Sequence, residues 1–138
     1  MTQPPDIEAL NKLGASMLPG YLGIEILKWA DGEVSARLPL RQELFAPNGF
    51  VHAASVVGLA DTLCGYGCAT TLPAGATGFT TLELKANFLG TARDGVLCGR
   101  AVRLHGGRST QLWDATVTAG DGRTLALFRC TQLVLWPR

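Results

Sequence analysis

One stretch constrains the fold of this chain more than any other: Pro47 to Leu72 reads PNGFVHAASVVGLADTLCGYGCATTL. After its turn-forming start it contains no further proline, nearly all of its residues are apolar or small, and Asp61 is its only carboxylate. A helix that is apolar on every face lies in a protein core. The stretch is too short, and too interrupted by Gly, Thr and Cys, to predict a membrane span. It therefore predicts a buried central helix with the rest of the chain folded around it as a sheet.

Segments typical of β-strands lie on both sides of this helix. Two alternating segments, 22–29 and 33–40, precede it and meet at Asp31-Gly32, a strong hairpin signal. Four more predicted strands follow it, at 79–88, 96–104, 109–119 and 124–135. Short connections containing Gly and Asp join them, which indicates antiparallel pairing. The order predicts an α+β fold, one antiparallel sheet of about six strands wrapped around one long central helix.

The N-terminal residues predict a helical extension, 1–20, of a single domain that spans 1–138. Asp6 is placed to cap a helix over 7–17, and Pro19-Gly20 is expected to end it. The sequence does not open with a basic segment followed by an apolar one, so no signal peptide is predicted. We therefore expect a cytoplasmic protein with reduced cysteines.

Composition excludes some classes of partner and favours self-association. A net charge of +1 with 17% charged residues gives no electrostatic case for nucleic acid or for a membrane surface. The hydrophobic content of 47% is high for a soluble monomer, so a homodimer or homotetramer is expected. Cys64 and Cys68 lie one helical turn apart, but no further ligands follow at zinc spacing. We expect no metal, and treat both as small buried hydrophobic residues.

Asp61 is the first candidate for chemistry: such a carboxylate is a general base, a nucleophile or a hydrogen-bonded structural acid. His52 precedes it by nine residues, roughly 13 Å along a helix, so the two meet only across two chains or act on different parts of one ligand. The first amides of the helix, around Ala53, favour negative charge such as an oxyanion, unless water or the preceding loop caps them.

Two further groups of residues carry weaker signals. A hydroxyl at Thr80 or Thr81 could hold an attacking water, although threonine is also a favoured strand residue. Arg100, Arg103 and Arg108 cluster around one predicted turn and suit phosphate binding or an ordinary surface. The sequence contains no Walker loop, GxGxxG, GxSxG or HExxH motif.

Several segments in the same order resemble the hot-dog-fold acyl-CoA thioesterases of the phenylacetate-pathway type, from about Arg41 to the C-terminus. NGFVHAASVVGLADTLCGYGC is similar to the segment of that family that contains His-Gly-Gly and Leu-Ala-Asp-Thr. The family's later strands are matched by TGFTTLELKANFLGTARDG, GRAVRLHGGRSTQLWDATV and DGRTLALFRCTQLVL.

The resemblance implies hydrolysis of an acyl-CoA thioester at sites between subunits, often in a dimer of dimers, with no cofactor beyond the coenzyme A of the substrate. It implies that Asp61 is the catalytic base or nucleophile and that the Ala53 N–H polarises the thioester carbonyl. His52 is expected to shape the loop and position substrate, and Thr81 to orient the water. The expected substrate-binding residues are Asn48, Gly49, Thr80, Arg100, Arg103 and Arg108.

The sequence departs from the family pattern at two places. Ala53-Ala54 replaces the usual Gly-Gly, which places a methyl group beside the acyl pocket, and Ala46 replaces a common Asn. These departures favour a rival reading, a hot-dog protein that binds an acyl-CoA without hydrolysing it. The retained Asp61 favours the enzyme. A dehydratase is disfavoured, because it needs a His and an acid arranged for elimination.

Overall fold

In the computed structural model, which describes residues 4–138, six β-strands form one antiparallel sheet against a long helix. The elements are α1 (Ile7–Leu13), α2 (Leu18–Leu22), β1 (Glu25–Ala30), β2 (Glu33–Pro39), a 3₁₀ turn (Gln42–Leu44), α3 (Ala53–Ala69), β3 (Gly78–Phe88), β4 (Val96–Gly106), β5 (Thr110–Thr118) and β6 (Thr124–Leu135). The strands lie in the order β1-β2-β4-β5-β6-β3, and every neighbouring pair is antiparallel. The predicted hot-dog fold is confirmed.

Alternating strands place one face of the sheet against α3. Along β5 buried and half-buried residues alternate without a break, as expected for a strand with one covered face. In β2 the alternating residues Val34, Ala36 and Leu38 are all buried. The β1–β2 turn is the predicted hairpin, with Gly32 at φ 79°, a left-handed conformation that glycine adopts without strain.

The central helix α3 is shorter than the predicted stretch because threonines end it. The hydroxyl of Thr70 donates to Tyr66 O at 2.8 Å, and that of Thr71 donates to Gly67 O at 2.7 Å. These bonds satisfy carbonyls that the last turn of a helix leaves without partners. One side of the helix, which includes Val57 and Asp61, is only partly covered in the single chain.

Small residues on α3 let the helix approach the sheet closely. A Cβ at Gly67 would lie 2.4 Å from the ring of Trp113, which is fully buried. On β4, a Cβ at Gly99 would lie 2.6 Å from Leu63 Cδ1. Glycine therefore interrupts the apolar helix where the core has no room for a methyl group.

The helix predicted over 7–17 is shorter than expected, and residues 1–3 of the predicted N-terminal extension 1–20 lie outside the described residues. Asp6 caps α1 as predicted, but the helix ends at Leu13 with Gly14 as its C-cap. Pro19 does not end a helix; it lies in the first turn of α2, where its missing N–H has no cost. A proline signal alone does not distinguish the end of one helix from the start of the next. None of the helices in 4–138 is long and apolar enough to cross a membrane.

Candidate active site

Asp61 lies midway along α3, with its carboxyl group half-buried against the sheet. Its Oδ1 atom is buried and has no hydrogen-bond partner among residues 4–138. Burial raises the pKa of Asp61 above its ordinary value near 3.8, and hydrogen bonding from the Thr81 hydroxyl opposes this shift only in part. A buried carboxylate without a partner is costly for the fold, and such groups concentrate at functional sites.

Thr81 on β3 faces Asp61 and is itself bonded to a second buried polar residue. Its hydroxyl donates to Gln132 Oε1 at 2.8 Å. Thr81 and Gln132 are opposite each other in the register of β3 and β6, and Gln132 is completely buried. Strand alternation places Thr80 on the opposite face of the sheet from Thr81, away from Asp61.

Gln132 is a site residue that the sequence analysis did not identify. A signal for it exists, because alternation along β6 places it on the same face as Phe128, Cys130 and Val134, all of which are buried. A glutamine in an otherwise apolar inward series indicates a buried polar contact.

The cysteines behave as predicted for α3. Cys64 and Cys68 are buried and free, as is Cys130 on β6, whereas Cys98 is exposed. Hydrogen bonding with Cys130, followed by burial, holds the pKa of Cys64 far above its ordinary value, and burial raises that of Cys68 to about 12. The Cys64 thiol, which is close enough to Asp61 to feel its charge, is therefore neutral. Residues 4–138 contain no group of three or more His, Cys, Asp or Glu side chains placed to hold a metal ion.

His52 is the N-cap of α3 and leaves one helix amide free. Its Nδ1 accepts from the Ala54 N–H at 2.9 Å, and its carbonyl accepts from Ser55. For the Ala53 N–H, the described part of the chain offers no acceptor. His52 therefore caps the helix, and it leaves the Ala53 amide available to an outside acceptor.

A tight turn precedes the helix and forms one wall of a cavity. Asn48 Oδ1 accepts from the Phe50 N–H at 3.1 Å, and Gly49 takes φ 86°, so these residues build the turn itself. The cavity, about 440 Å³, is open to solvent and reaches the first residues of α3 and the end of β3. It is lined by Ala46, Asn48, Phe50, Val51, His52, Ala53, Val56, Phe88, Gly90 and Thr91.

The single chain thus holds two half-sites. One contains Asp61 with Thr81, and the other is the helix start with His52 and the Ala53 amide. The nine residues from His52 to Asp61 correspond to roughly 13 Å along α3, which is too far for one carbonyl group to contact both half-sites of one chain.

The predicted arginines do not form one cluster around a turn. Arg100 lies on the outer face of the sheet, because its neighbour Ala101 points into the core, and it pairs with Glu33 at 2.7 Å. Arg103 pairs with Asp31 at 3.1 Å, and Arg108 stacks on the ring of Trp136 at 4.2 Å.

The turn that carries Arg108 also lies at the far end of α3 from the helix start. Gln111, just after this turn, donates to Thr71 O at 3.1 Å, beyond the C-terminal end of the helix. By contrast Arg93 lies 4.2 Å above the Phe50 ring, beside the cavity at the helix start. The spacing of Arg93 in the sequence does not reveal this position, because spacing alone does not show which loop reaches which end of a helix.

Comparison with known proteins identifies the family. The sequence profile described as Thioesterase superfamily matches residues 48–126, more than half of the chain. A 1,4-dihydroxy-2-naphthoyl-CoA hydrolase of Escherichia coli (strain K12) is 30% identical over 94% of this chain and 94% of its own.

Solved structures show the same fold. A mutant thioesterase from Pseudomonas aeruginosa superposes with a TM-score of 0.92 at 29% identity, covering 96% of both chains. A thioesterase from Haemophilus influenzae superposes with a TM-score of 0.90 at 26% identity, covering 96% of this chain and 92% of the other. The chain belongs to the thioesterase superfamily, and it is a hydrolase of thioester bonds.

Proposed function

We propose that this protein hydrolyses an acyl-CoA thioester, with Asp61 as the catalytic carboxylate. The observation that carries the proposal is the buried, unpartnered Oδ1 of Asp61 on the central helix. A fold gains nothing from such a group unless it contacts something that is not part of the chain. Water or a thioester carbon supplies that contact.

The two half-sites have complementary chemistry for acyl transfer. The Ala53 N–H, at the positive end of the α3 dipole, suits the oxygen of a thioester carbonyl, whose negative charge grows as the carbon is attacked. Asp61 then either takes a proton from the attacking water or attacks the carbon itself to form a mixed anhydride. Thr81 is suited to hold the water. The coenzyme A thiolate leaves with its electron pair. With water as the nucleophile the free acid forms directly, whereas water must hydrolyse the mixed anhydride to release the acid and restore the Asp61 carboxylate.

A dimer would bring the half-sites of two chains together, and β3 is suited to form its interface. This eleven-residue strand is at the edge of the sheet, so one row of its backbone groups is unpaired within the chain. Leu84 and Phe88 are opposite buried Cys130 and Ala126 in the register, and therefore point to the core face. Yet they remain 41% and 46% exposed.

Exposed apolar side chains on the core face of an edge strand indicate a cover supplied by another chain. We propose pairing of β3 with β3 of a second copy, as a homodimer or within a homotetramer. Antiparallel pairing would run the two α3 helices in opposite directions, which suits a site made of Asp61 from one copy and Ala53 from the other.

The coenzyme A arm requires cations where the cavity opens. Arg93 is the described arginine next to this cavity, and its guanidinium has no carboxylate partner within residues 4–138. It joins the predicted Arg100, Arg103 and Arg108 as a candidate for phosphate binding. The last three would have to reach the site from another copy.

A panel of acyl-CoA and aryl-CoA substrates, followed by release of the free thiol, tests the function. Aryl-CoA thioesters come first, because a relative that covers almost the whole chain is named a 1,4-dihydroxy-2-naphthoyl-CoA hydrolase. Asp61→Asn should lower kcat at least about a hundredfold and leave substrate affinity nearly unchanged. Binding without turnover across the panel would support the rival reading, a ligand-binding protein, and a fully active Asp61→Asn would exclude Asp61 as base or nucleophile.

A further inference from the structure

The Thr81 hydroxyl has two acceptors within reach and one proton to give. It is close enough to Asp61 to influence that carboxyl group by hydrogen bonding, and it lies 2.8 Å from Gln132 Oε1. A hydroxyl donates only one hydrogen bond at a time. In this structure the hydroxyl donates to Gln132 Oε1, and Asp61 Oδ1 has no hydrogen-bond partner among the residues described, 4–138.

We propose that Gln132 is a positioning residue of the active site: its amide carbonyl holds the proton of the Thr81 hydroxyl and so weakens the hydrogen bond that Thr81 gives to Asp61. The consequence is a carboxylate that remains a stronger base. It also leaves the lone pairs of Thr81 Oγ1 free to accept from water, so that one water proton goes to Thr81 and the other faces Asp61. The proposal rests on the proposed role of Asp61 as the base.

Packing does not explain why a glutamine is present at this position. Gln132 is fully buried, and its Nε2 finds only the thiol of Cys130 at 3.4 Å, a weak acceptor. Gln111, its neighbour on β5, is different. Its amide bonds Thr71 O at 3.1 Å and the Trp113 indole at 2.8 Å, and so fastens the end of α3 to the sheet. The single strong bond of the Gln132 side chain is the one from Thr81.

The other groups packed around Asp61 in residues 4–138 are thiols, apolar side chains and one surface ion pair. The ionisable side chains near it, Cys64 on α3 and Cys130 on β6, are a buried thiol pair, and the pKa of Cys64 is held far above its ordinary value. On β5 the charged Asp114 pairs with Arg129 at 2.6 Å, with both side chains partly exposed. Strands β2 and β4 present apolar residues to the helix, among them Val34, Ala36, Leu38, Leu97 and Ala101.

Gln132→Met tests the proposal because methionine keeps the length of the side chain but removes the acceptor. The Thr81 hydroxyl is then free to donate to Asp61, which lowers the Asp61 pKa. The acidic limb of the pH profile of kcat/KM should move to lower pH. The plateau value of kcat should fall by roughly three- to tenfold, because a weaker base removes the water proton less effectively. NMR titration of ¹³C-labelled aspartate measures the same pKa without any turnover.

Thr81→Val distinguishes a positioning role from a structural one. Because Gln132 Oε1 holds the hydroxyl proton, the hydrogen bond that Thr81 gives to Asp61 is weak, and its removal should raise the Asp61 pKa only slightly. In the Thr81→Val background, Gln132→Met should no longer lower that pKa. Gln111→Met is the matched control, since it removes an equally buried glutamine that does not contact Thr81. It should reduce stability without moving the acidic limb.

Three results would overturn the proposal: an unchanged Asp61 pKa in folded Gln132→Met, a shift that persists with Thr81→Val, or a shift to higher pH. The last would mean that the amide N–H faces Thr81 in the native protein. If Gln132→Met does not fold, Thr81→Val alone decides, because a strongly raised Asp61 pKa would show that the hydroxyl serves Asp61 rather than Gln132. Failure to hydrolyse any thioester would refute the proposed function instead. The NMR titration would still show whether Gln132→Met lowers the Asp61 pKa.

Discussion

Replacing Asp61 by Asn should make the protein more stable as well as inactive. The substitution preserves the shape of the side chain and removes a charge that is disfavoured by burial. In the wild-type chain Oδ1 is buried without a hydrogen-bond partner, and burial raises the Asp61 pKa. A neutral amide in the same place loses less free energy on leaving water than a carboxylate does.

The size of the gain follows from the cost of an unsatisfied group. Leaving a buried polar group unpaired costs about 1–3 kcal/mol, and more when it is charged. Because the Asp61 carboxyl is only partly buried, the low end applies, and we expect the free energy of unfolding to rise by about 1 kcal/mol. For a chain of 138 residues this corresponds to a rise in Tm of roughly 3–5 °C.

The stability gained by Asp61→Asn should depend on pH, and the Asp61 pKa shift fixes the direction. The folded-state pKa of Asp61 is raised, so the folded protein binds this proton more readily than the unfolded chain does. Wild-type stability therefore falls as pH rises from the ordinary value near 3.8 through the folded-state value. The difference in Tm between Asp61→Asn and wild type should be largest near neutral pH and should shrink below pH 3.8, where both side chains are neutral.

Thermal unfolding monitored by circular dichroism at several pH values measures this difference at one fixed protein concentration. Asp114→Asn is the matched control, because Asp114 is paired with Arg129 at 2.6 Å at the surface. Its loss should lower stability by about 0–1 kcal/mol, the opposite sign. A lower Tm for Asp61→Asn at neutral pH would refute the reasoning, since it would show that the carboxylate stabilises the fold.

Three further predictions follow from packing, the sheet edge and the cavity. Gly67→Ala should cost about 1–3 kcal/mol in denaturant unfolding, because the new methyl group would lie 2.4 Å from the rigid ring of Trp113. Leu84→Lys should weaken the proposed dimer, because it places a charge among apolar residues at the β3 edge, and light scattering should show a loss of mass. Arg93→Ala should raise KM for CoA thioesters more than Arg108→Ala does, and neither should change KM for a pantetheine thioester that lacks the nucleotide.

Each of these predictions has an outcome that contradicts it. Gly78→Ala is the control for Gly67, since its Cβ would meet only Leu135 Cδ1 at 4.0 Å, and equal losses at both sites would show that the ring of Trp113 is not the cause. A wild-type protein that stays at 14.6 kDa at micromolar concentration would exclude the dimer. A larger KM effect at Arg108 would point to a contribution from another copy at that turn.

The sequence predicts the fold well because local signals and the hydrophobic pattern agree. The apolar stretch around Asp61 has no stable position except inside the sheet, and period-two alternation fixes which strand faces cover it. The Asp31-Gly32 hairpin and the Asp6 cap each depend on a few adjacent residues, and both are present in the structure. The wrong prediction that Pro19 ends a helix also has a local cause, because proline is favoured in the first turn of a new helix as well.

The site was less predictable because it depends on contacts between distant segments. Gln132 lies 51 positions after Thr81 in the chain, and only the register of β3 with β6 brings the two side chains together. Arg93 reaches Phe50 through loop geometry, which no periodicity encodes. Residues with an evident chemistry, such as Asp61, are visible in the sequence, whereas those that orient them are visible only after strand register is known.

The exchange of Gly-Gly for Ala53-Ala54 bears on how the two half-sites work together. Both alanines are exposed at the start of α3, and neither has a positive φ, so the helix start forms without the freedom of glycine. Even with the added methyl groups, the Ala53 N–H has no acceptor in the described chain. This N–H therefore remains available as the hydrogen-bond donor proposed for the thioester carbonyl. What changes is the lining of the cavity, to which Ala53 and Phe88 both contribute. In the proposed site the departure would therefore act on the space for the acyl group rather than on the chemistry. Ala53→Gly should accordingly shift the preference among acyl-CoA substrates toward bulkier groups, with kcat for the smallest substrate changed little. A uniform loss of kcat across the substrate panel would show instead that Ala53 holds the amide in place.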